Sequence, residues 1–73
     1  MMNREEKLEI IADILEVEAD ELQEDMVLDD FETWDSVAVL SVIAMMDEKF
    51  GKYPHASEIR QYIRVIDLMN SME

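Results

Sequence analysis

Apolar residues recur at helical spacing along this chain, and no segment alternates apolar and polar residues as a half-buried strand would. The first stripe consists of Leu8, Ile11, Ala12 and Leu15, widened by Ile10 and Ile14. Asn3 precedes this stripe and Glu6 follows three residues later, a spacing typical of a capping box at a helix start. The pattern predicts an all-α fold.

The chain is short and contains no cysteine, so a hydrophobic core must stabilise it without disulfides or thiolate-bound metal. Its 73 residues are 49% hydrophobic, which is enough for one core, and we expect a single domain over residues 1–73. No window reaches the roughly 18 unbroken apolar residues of a membrane span. The first six residues also lack the apolar stretch of a secretory signal. We therefore expect a monomeric, cytoplasmic protein.

We predict four helices, of which the third is short and the other three are the main ones. They are expected to form a small four-helix bundle with a long loop between the first two helices. Their expected bounds are residues 4–17, 35 or 36–51, 57–62 and 65–72. Gly51 suits the end of the second helix, and Pro54 marks the turn after it.

The loop over residues 18–35 is acidic but contains apolar residues, which favours a segment pinned across the core over a disordered linker. We expect a helical turn near residues 20–23. The apolar anchors of the loop are Leu22, Met26, Val27, Leu28 and Phe31.

The second helix is apolar on more than one face, so part of its surface is expected to contact a partner or a ligand. Its predicted core face consists of Val39, Leu40, Ile43, Met46 and Phe50, whereas Val37, Ser41, Ala44, Met45 and Glu48 are assigned to its other faces. Farther along, the residues expected to face inward are Ile59, Tyr62, Ile63, Val65, Leu68, Met69 and Met72.

Negative charge is concentrated in the first half of the chain. Residues 1–35 contain fourteen acidic and two basic residues, a net charge of −12 out of −13 for the whole chain. This field repels nucleic-acid phosphates and favours encounters with basic protein surfaces. The alternative is that the acidic residues are merely solvated and keep a small protein soluble.

Apart from its carboxylates, the chain has few of the residues that enzymes and metal sites use. His55 is the one histidine, and Asp35, Ser36 and His55 do not fit the roles of a catalytic triad, in which the acid orients the histidine. The acidic loop lacks the alternating ligand spacing and central glycine of a calcium-binding EF-hand. We therefore expect neither an enzyme nor a specific metal site.

Ser36 opens the apolar second helix, after Thr33, Trp34 and Asp35 and before Val37. A hydroxyl in this position lies beside unpaired backbone N–H groups and the positive end of the helix dipole, where an attached anion is stabilised. Asp and Ser are also common N-cap residues, so this pair can be nothing more than a helix start. Asp35 alone can cap the helix, which would leave Ser36 free to project.

Asp35-Ser36-Val37, in this helical frame, resembles the acyl carrier and peptidyl carrier proteins, in which Asp-Ser-Leu opens the second helix. The resemblance extends over nearly the whole chain. It includes the acidic loop with Phe31, the end of the second helix at Gly51, Pro54 before a short third helix, and Val65-Ile66-Asp67-Leu68 at the last one.

The resemblance implies that a phosphopantetheinyl transferase moves 4′-phosphopantetheine from coenzyme A onto the Ser36 oxygen. The thiol of that arm then carries an acyl or aminoacyl group as a thioester, which a loading ligase supplies and downstream transferases or synthases with basic surfaces receive. Expected motif and partner-contact residues are Trp34, Asp35, Val37, Ser41, Met45 and Glu48. An acyl pocket is expected among the core residues Val39, Leu40, Ile43, Met46, Phe50, Ile59, Ile63 and Leu68.

Some residues depart from the pattern of fatty-acid carriers. Val37 replaces the common leucine, Ala38 and Ser41 lie where many of those carriers have acidic residues, and Trp34 replaces a small residue. Arg64 also stands where a threonine usually precedes the last helix. These differences favour a carrier of a specialised polyketide, nonribosomal-peptide or other acyl pathway. The alternative function is an unmodified acidic adaptor that binds a basic partner through the second helix and the loop.

Overall fold

The computed structural model describes residues 2–72, so Met1 and Glu73, the two ends of the predicted domain, lie outside the described residues. Within residues 2–72 the regular structure is helical, with no β-strand, which confirms the all-α prediction. The four helices are α1 (Arg4–Leu15), α2 (Ser36–Phe50), α3 (Ala56–Ile59) and α4 (Val65–Ser71). In this part of the chain, no helix has the length and apolar character needed to cross a bilayer.

Helix α1 begins where the sequence predicts and ends two residues early. Asn3 Oδ1 accepts a hydrogen bond from Glu6 N (2.9 Å) and so caps the first turn. The helix ends because Glu16 adopts a left-handed conformation (φ 60°), and the amide of Val17 then donates to Ala12 O (3.0 Å). This closure uses the backbone geometry that glycine usually provides at a helix C-terminus.

The connection between α1 and α2 contains two 3₁₀ turns, Ala19–Glu21 and Leu28–Asp30. The first corresponds to the predicted turn near residues 20–23, whereas the second was not predicted. Leu22 and Leu28 are buried, and the other predicted anchors, Met26, Val27 and Phe31, are partly buried. The connection is thus pinned to the core by its apolar side chains, as the sequence predicts.

Backbone pairing ties this connection to the segment before α4. Leu28 N donates to Ile63 O (2.8 Å), and Val65 N donates to Met26 O (2.9 Å), around an isolated antiparallel bridge between Val27 and Arg64. The Arg64 guanidinium adds a hydrogen bond from Nη1 to Asp25 O (2.6 Å). The Arg64 side chain therefore strengthens the pairing between the two segments and does not cap the N-terminus of α4.

Helix α4 is capped from its third residue. Asp67 Oδ2 accepts hydrogen bonds from Arg64 N (2.9 Å) and Ile63 N (3.0 Å). These two amides, that of Arg64 first, hold the pKa of the Asp67 carboxyl below its usual value. The carboxylate replaces the hydroxyl cap that Arg64 cannot provide.

The core includes buried residues from all four helices and from the connection, among them Leu8, Ile11, Leu15, Leu22, Leu28, Val39, Val42, Met46, Ile59, Val65, Leu68, Met69 and Met72. Helix α1 packs against α2 and α4, and α2 also packs against α3. Of the predicted core residues, Val39, Met46, Ile59, Val65, Leu68, Met69 and Met72 are buried, and Ile43, Phe50 and Tyr62 are partly buried against the core.

The predicted core face of α2 is wrong by about a quarter of a turn. Leu40 is 63% exposed, and Met45, assigned to an outer face, is only 7% exposed. The buried residues of α2 are Ala38, Val39, Val42, Met45 and Met46. Apolar residues lie on nearly every side of α2, so the residue pattern of the helix does not define its buried face. Its packing between α1 and α3 selects that face, in which small Ala38 and flexible Met45 fit against the neighbouring helices.

Ile63 was also predicted to face inward, and it is 63% exposed. Helix α3 ends at Ile59, three residues earlier than predicted, and the chain then extends to pair with the α1–α2 connection. The Ile63 carbonyl is engaged with Leu28 N in that pairing, and its side chain is left at the surface.

The left-handed Glu16 generates a stability prediction. A non-glycine residue in this conformation is strained, so we expect Glu16→Gly to raise the free energy of unfolding by about 0.5–1 kcal/mol. Urea denaturation monitored by circular dichroism measures the change. The control is Glu16→Gln, which removes the same charge but keeps the strain. Equal stability of the two variants would contradict the argument.

Candidate functional site

The candidate site lies at the N-terminus of α2, where Asp35 is the capping residue. Asp35 has an extended backbone (φ −130°, ψ −169°), and its Oδ1 accepts a hydrogen bond from Ala38 N (3.0 Å). Its carbonyl accepts from Val39 N (3.0 Å), the first bond of the helix ladder. Asp35 therefore performs both tasks of an N-cap.

Ser36 is the first helical residue, and its side chain is exposed. Among residues 2–72 its hydroxyl has no hydrogen-bond partner, and the Asp35 side chain rather than that of Ser36 accepts from the Ala38 amide. The backbone N–H groups of Ser36 and Val37 precede the helix ladder and have no partner within the helix. The hydroxyl is thus free and adjoins amide donors.

The first turn of α2 contains no acidic residue, although the preceding segment is strongly acidic. An anion attached to Ser36 would meet the positive end of the helix dipole, with Asp35 as the nearest opposing charge in sequence. Donation from Ala38 N to the Asp35 carboxylate offsets part of that charge. The helix dipole and the first amides favour an anion on Ser36, whereas the Asp35 carboxylate opposes it.

The segment before Ser36 is held against the end of α1. Thr33 Oγ1 donates to Leu15 O (2.7 Å), and Trp34 N donates to Phe31 O (3.0 Å). Trp34 and Phe31 are partly buried against the core. These contacts fix where α2 begins. The contribution of Thr33 is not visible in the sequence, because no short-range pattern marks a bond between residues eighteen positions apart.

The predicted motif and partner-contact residues separate into different surroundings. Trp34 is partly buried, Asp35 and Val37 are exposed beside Ser36, and Glu48 is exposed near the other end of α2. Ser41 is partly buried and donates from Oγ to Val37 O (3.0 Å). Met45 is 7% exposed, so only a small part of its side chain is accessible to a partner.

The predicted pocket residues also separate. Val39, Met46, Ile59 and Leu68 lie in the core, with Ile43 and Phe50 at its edge. Leu40 and Ile63 are not core residues, but exposed apolar side chains. Val37, 69% exposed, joins Leu40 as a second large apolar side chain on the first turns of α2.

Other chemistry is sparse in the part of the chain that the structure describes. His55 is exposed at the residue before α3. No group of three or more histidine, aspartate or glutamate side chains within residues 2–72 is arranged to hold a metal ion.

Comparisons of the chain with protein-family models, with curated proteins and with solved structures gave no significant match.

The double role of Asp35 generates a prediction. We expect Asp35→Ala to lower the free energy of unfolding by about 1 kcal/mol, because the Ala38 amide loses its acceptor. Asp35→Asn removes the same negative charge but keeps a capping oxygen, so it should cost much less. Urea denaturation of both variants measures the difference. Equal losses would show that the charge, rather than the cap, stabilises this end of α2.

Proposed function

We propose that this chain is a carrier protein that holds an acyl or aminoacyl group as a thioester on a 4′-phosphopantetheine arm attached to Ser36. The observation that carries the proposal is the free, exposed Ser36 hydroxyl at the first position of a 15-residue helix whose cap is provided by Asp35. A serine needed only for capping would have its side chain engaged with the first-turn amides.

The attachment is a phosphoryl transfer catalysed by a separate phosphopantetheinyl transferase. Ser36 Oγ loses its proton and bonds to the phosphorus bearing pantetheine, the pyrophosphate bond of coenzyme A breaks, and adenosine 3′,5′-bisphosphate leaves. Once attached, the arm supplies a terminal thiol that carries the cargo. The chain itself presents the hydroxyl, and the first amides of α2 stabilise the resulting phosphodiester.

Exposed apolar residues beside Ser36 support a role in contacts with partner enzymes. Val37 and Leu40 lie one and four residues after Ser36, and both are more than 60% exposed. Exposed apolar side chains grouped near a reactive position are typical of interaction sites. The partners we propose are the transferase, a loading ligase, and downstream transferases or synthases with basic surfaces.

The proposed carrier is a four-helix bundle in which α2 and α3 shelter the cargo. Val39, Met46, Ile59 and Leu68 would line that space, with Ile43 and Phe50 at its edge. These side chains belong to the core, so cargo would enter by separating α3, which has only four residues, from α2. Methionine side chains adapt to such repacking.

The neutral residues Ala38 and Ser41 support a carrier of a specialised biosynthetic pathway rather than of general fatty-acid synthesis. Both side chains are uncharged, so neither can pair with a basic residue of an enzyme surface. In addition, Ala38 is buried, and the Ser41 hydroxyl donates a hydrogen bond to the Val37 carbonyl. We place this function in the cytoplasm, with the carrier acting as a monomer.

Incubation with coenzyme A and a broad-specificity phosphopantetheinyl transferase tests the proposal. We expect the intact mass of the purified chain to rise by one phosphopantetheine group. Ser36→Ala should remain unmodified, whereas the control Ser57→Ala, at an exposed serine in α3, should be modified like the wild type.

A known carrier modified in parallel shows that the transferase is active, and circular dichroism shows that each variant is folded. An unchanged mass for the folded wild type would overturn the proposal, and so would modification of Ser36→Ala. If the wild type stays unmodified and the Ser36→Ala variant keeps the biological activity of the wild type in its host cell, the result would instead support the alternative function of an acidic adaptor.

A further inference from the structure

A surface groove lies between helices α1 and α2 and extends away from Ser36. Its two halves share Asp13, Ile14 and Ser41 and so form one continuous depression. The half nearer the start of α2 is lined by Asp13, Ile14, Glu16, Glu32, Thr33, Asp35, Val37, Ala38 and Ser41. The other half is lined by Glu9, Ile10, Asp13, Ile14, Ser41, Ala44, Met45, Glu48 and Lys49. We call this depression the α1–α2 groove.

Several apolar side chains line the α1–α2 groove between its polar residues. Ile10 and Ile14 lie one turn apart on α1 and are only partly buried. Ala44 and Met45 line the same half from α2, and Val37 contributes an exposed apolar side chain to the other half. These side chains offer contacts to an apolar ridge of a partner, most of them in the half lined by Ile10, Ile14 and Ala44.

The rim of the groove is acidic. Six carboxylates line it, namely those of Glu9, Asp13, Glu16, Glu32, Asp35 and Glu48, and Lys49 is the one basic residue among the lining residues. Glu9, Asp13 and Glu16 follow one another at helical spacing along the α1 side. The negative charge is thus densest along the α1 side of the groove.

We propose that the α1–α2 groove binds an amphipathic helix of a partner protein, with lysine or arginine residues on both sides of its apolar face. An apolar ridge would enter the groove as helices pack ridges into grooves, and the basic side chains would reach the carboxylates of the rim. From Val37 to Glu48, α2 rises about 16 Å, so a helix of about three turns spans the groove.

The charge of the chain argues against other occupants. A second copy would bring a net charge of −13 against an equally acidic surface. Nucleic acid and anionic lipid would be repelled in the same way. A three-turn helix buries less surface than a standard stable interface, so the complex is a transient one. This binding does not depend on whether Ser36 is modified.

Nuclear magnetic resonance of the unmodified, ¹⁵N-labelled full chain tests the proposal. The probe is a synthetic helical peptide of about twelve residues, with leucines on one face and lysines on both sides of them. We expect saturable shifts concentrated in residues 9–16 and 32–49, and an affinity that falls as salt is added. The same peptide with glutamates in place of lysines should not bind.

Paired charge reversals separate groove binding from general attraction. Glu9→Lys with Asp13→Lys should weaken binding at least about tenfold, whereas Glu18→Lys with Glu58→Lys should change it by less than about twofold. Both double variants carry the same net charge, and Glu18 and Glu58 are exposed outside the groove. The amide spectrum of each variant shows whether it is folded.

Three results would overturn the proposal. Equal weakening by the two double variants would mean that only the overall charge attracts the peptide. Absence of saturable binding, or shifts centred outside the groove, would exclude the site. Shifts that depend on protein concentration without peptide would assign the groove to a second copy of the chain. Because Ser36 is unmodified throughout, none of these outcomes bears on the carrier proposal.

Discussion

The hydrogen bond from Ala38 N to Asp35 Oδ1 is the interaction on which the candidate site depends. It fixes the first turn of α2 and makes Ser36 the first helical residue rather than the cap. The bond from Thr33 to Leu15 O and the partial burial of Trp34 hold the capping residue in place from the other side. The position of one hydroxyl is thus set by packing against α1 and by a single carboxylate.

The charged residues of this molecule are distributed unevenly over its surface. The first 35 residues carry a net charge of −12, but the first turn of α2 is neutral and presents backbone amides. In the proposed function the helix dipole stabilises an anion attached to Ser36, and in the proposed docking the carboxylates of the groove between α1 and α2 attract a basic helix. The proposed attachment of cargo and the proposed docking of a partner use separate parts of the same short chain.

Helical periodicity and capping residues predict most of the fold, because both are local properties. The Asn3 cap, the ends of α2 at Asp35 and Gly51 and the anchors of the long connection are examples. The buried face of α2 is not predictable in this way, because α2 has apolar residues on nearly every side and the neighbouring helices determine which of them are buried. The exposure of Ile63 likewise follows from pairing with Leu28, a contact between distant segments. At the site, Asp35 and Ser36 are evident from the sequence, whereas the groove beside them requires the packing of α1 on α2.

Mass spectrometry of the protein purified from its native source tests the central claim most directly. Peptides that contain Ser36 should carry 4′-phosphopantetheine, free or with its cargo as a thioester, and treatment with hydroxylamine should release that cargo. Fragment spectra of those peptides should place the group on Ser36 rather than on Ser41, and peptides containing Ser57 should be unmodified. A population in which Ser36 is unmodified throughout, in cells whose other carriers bear the arm, would contradict the account.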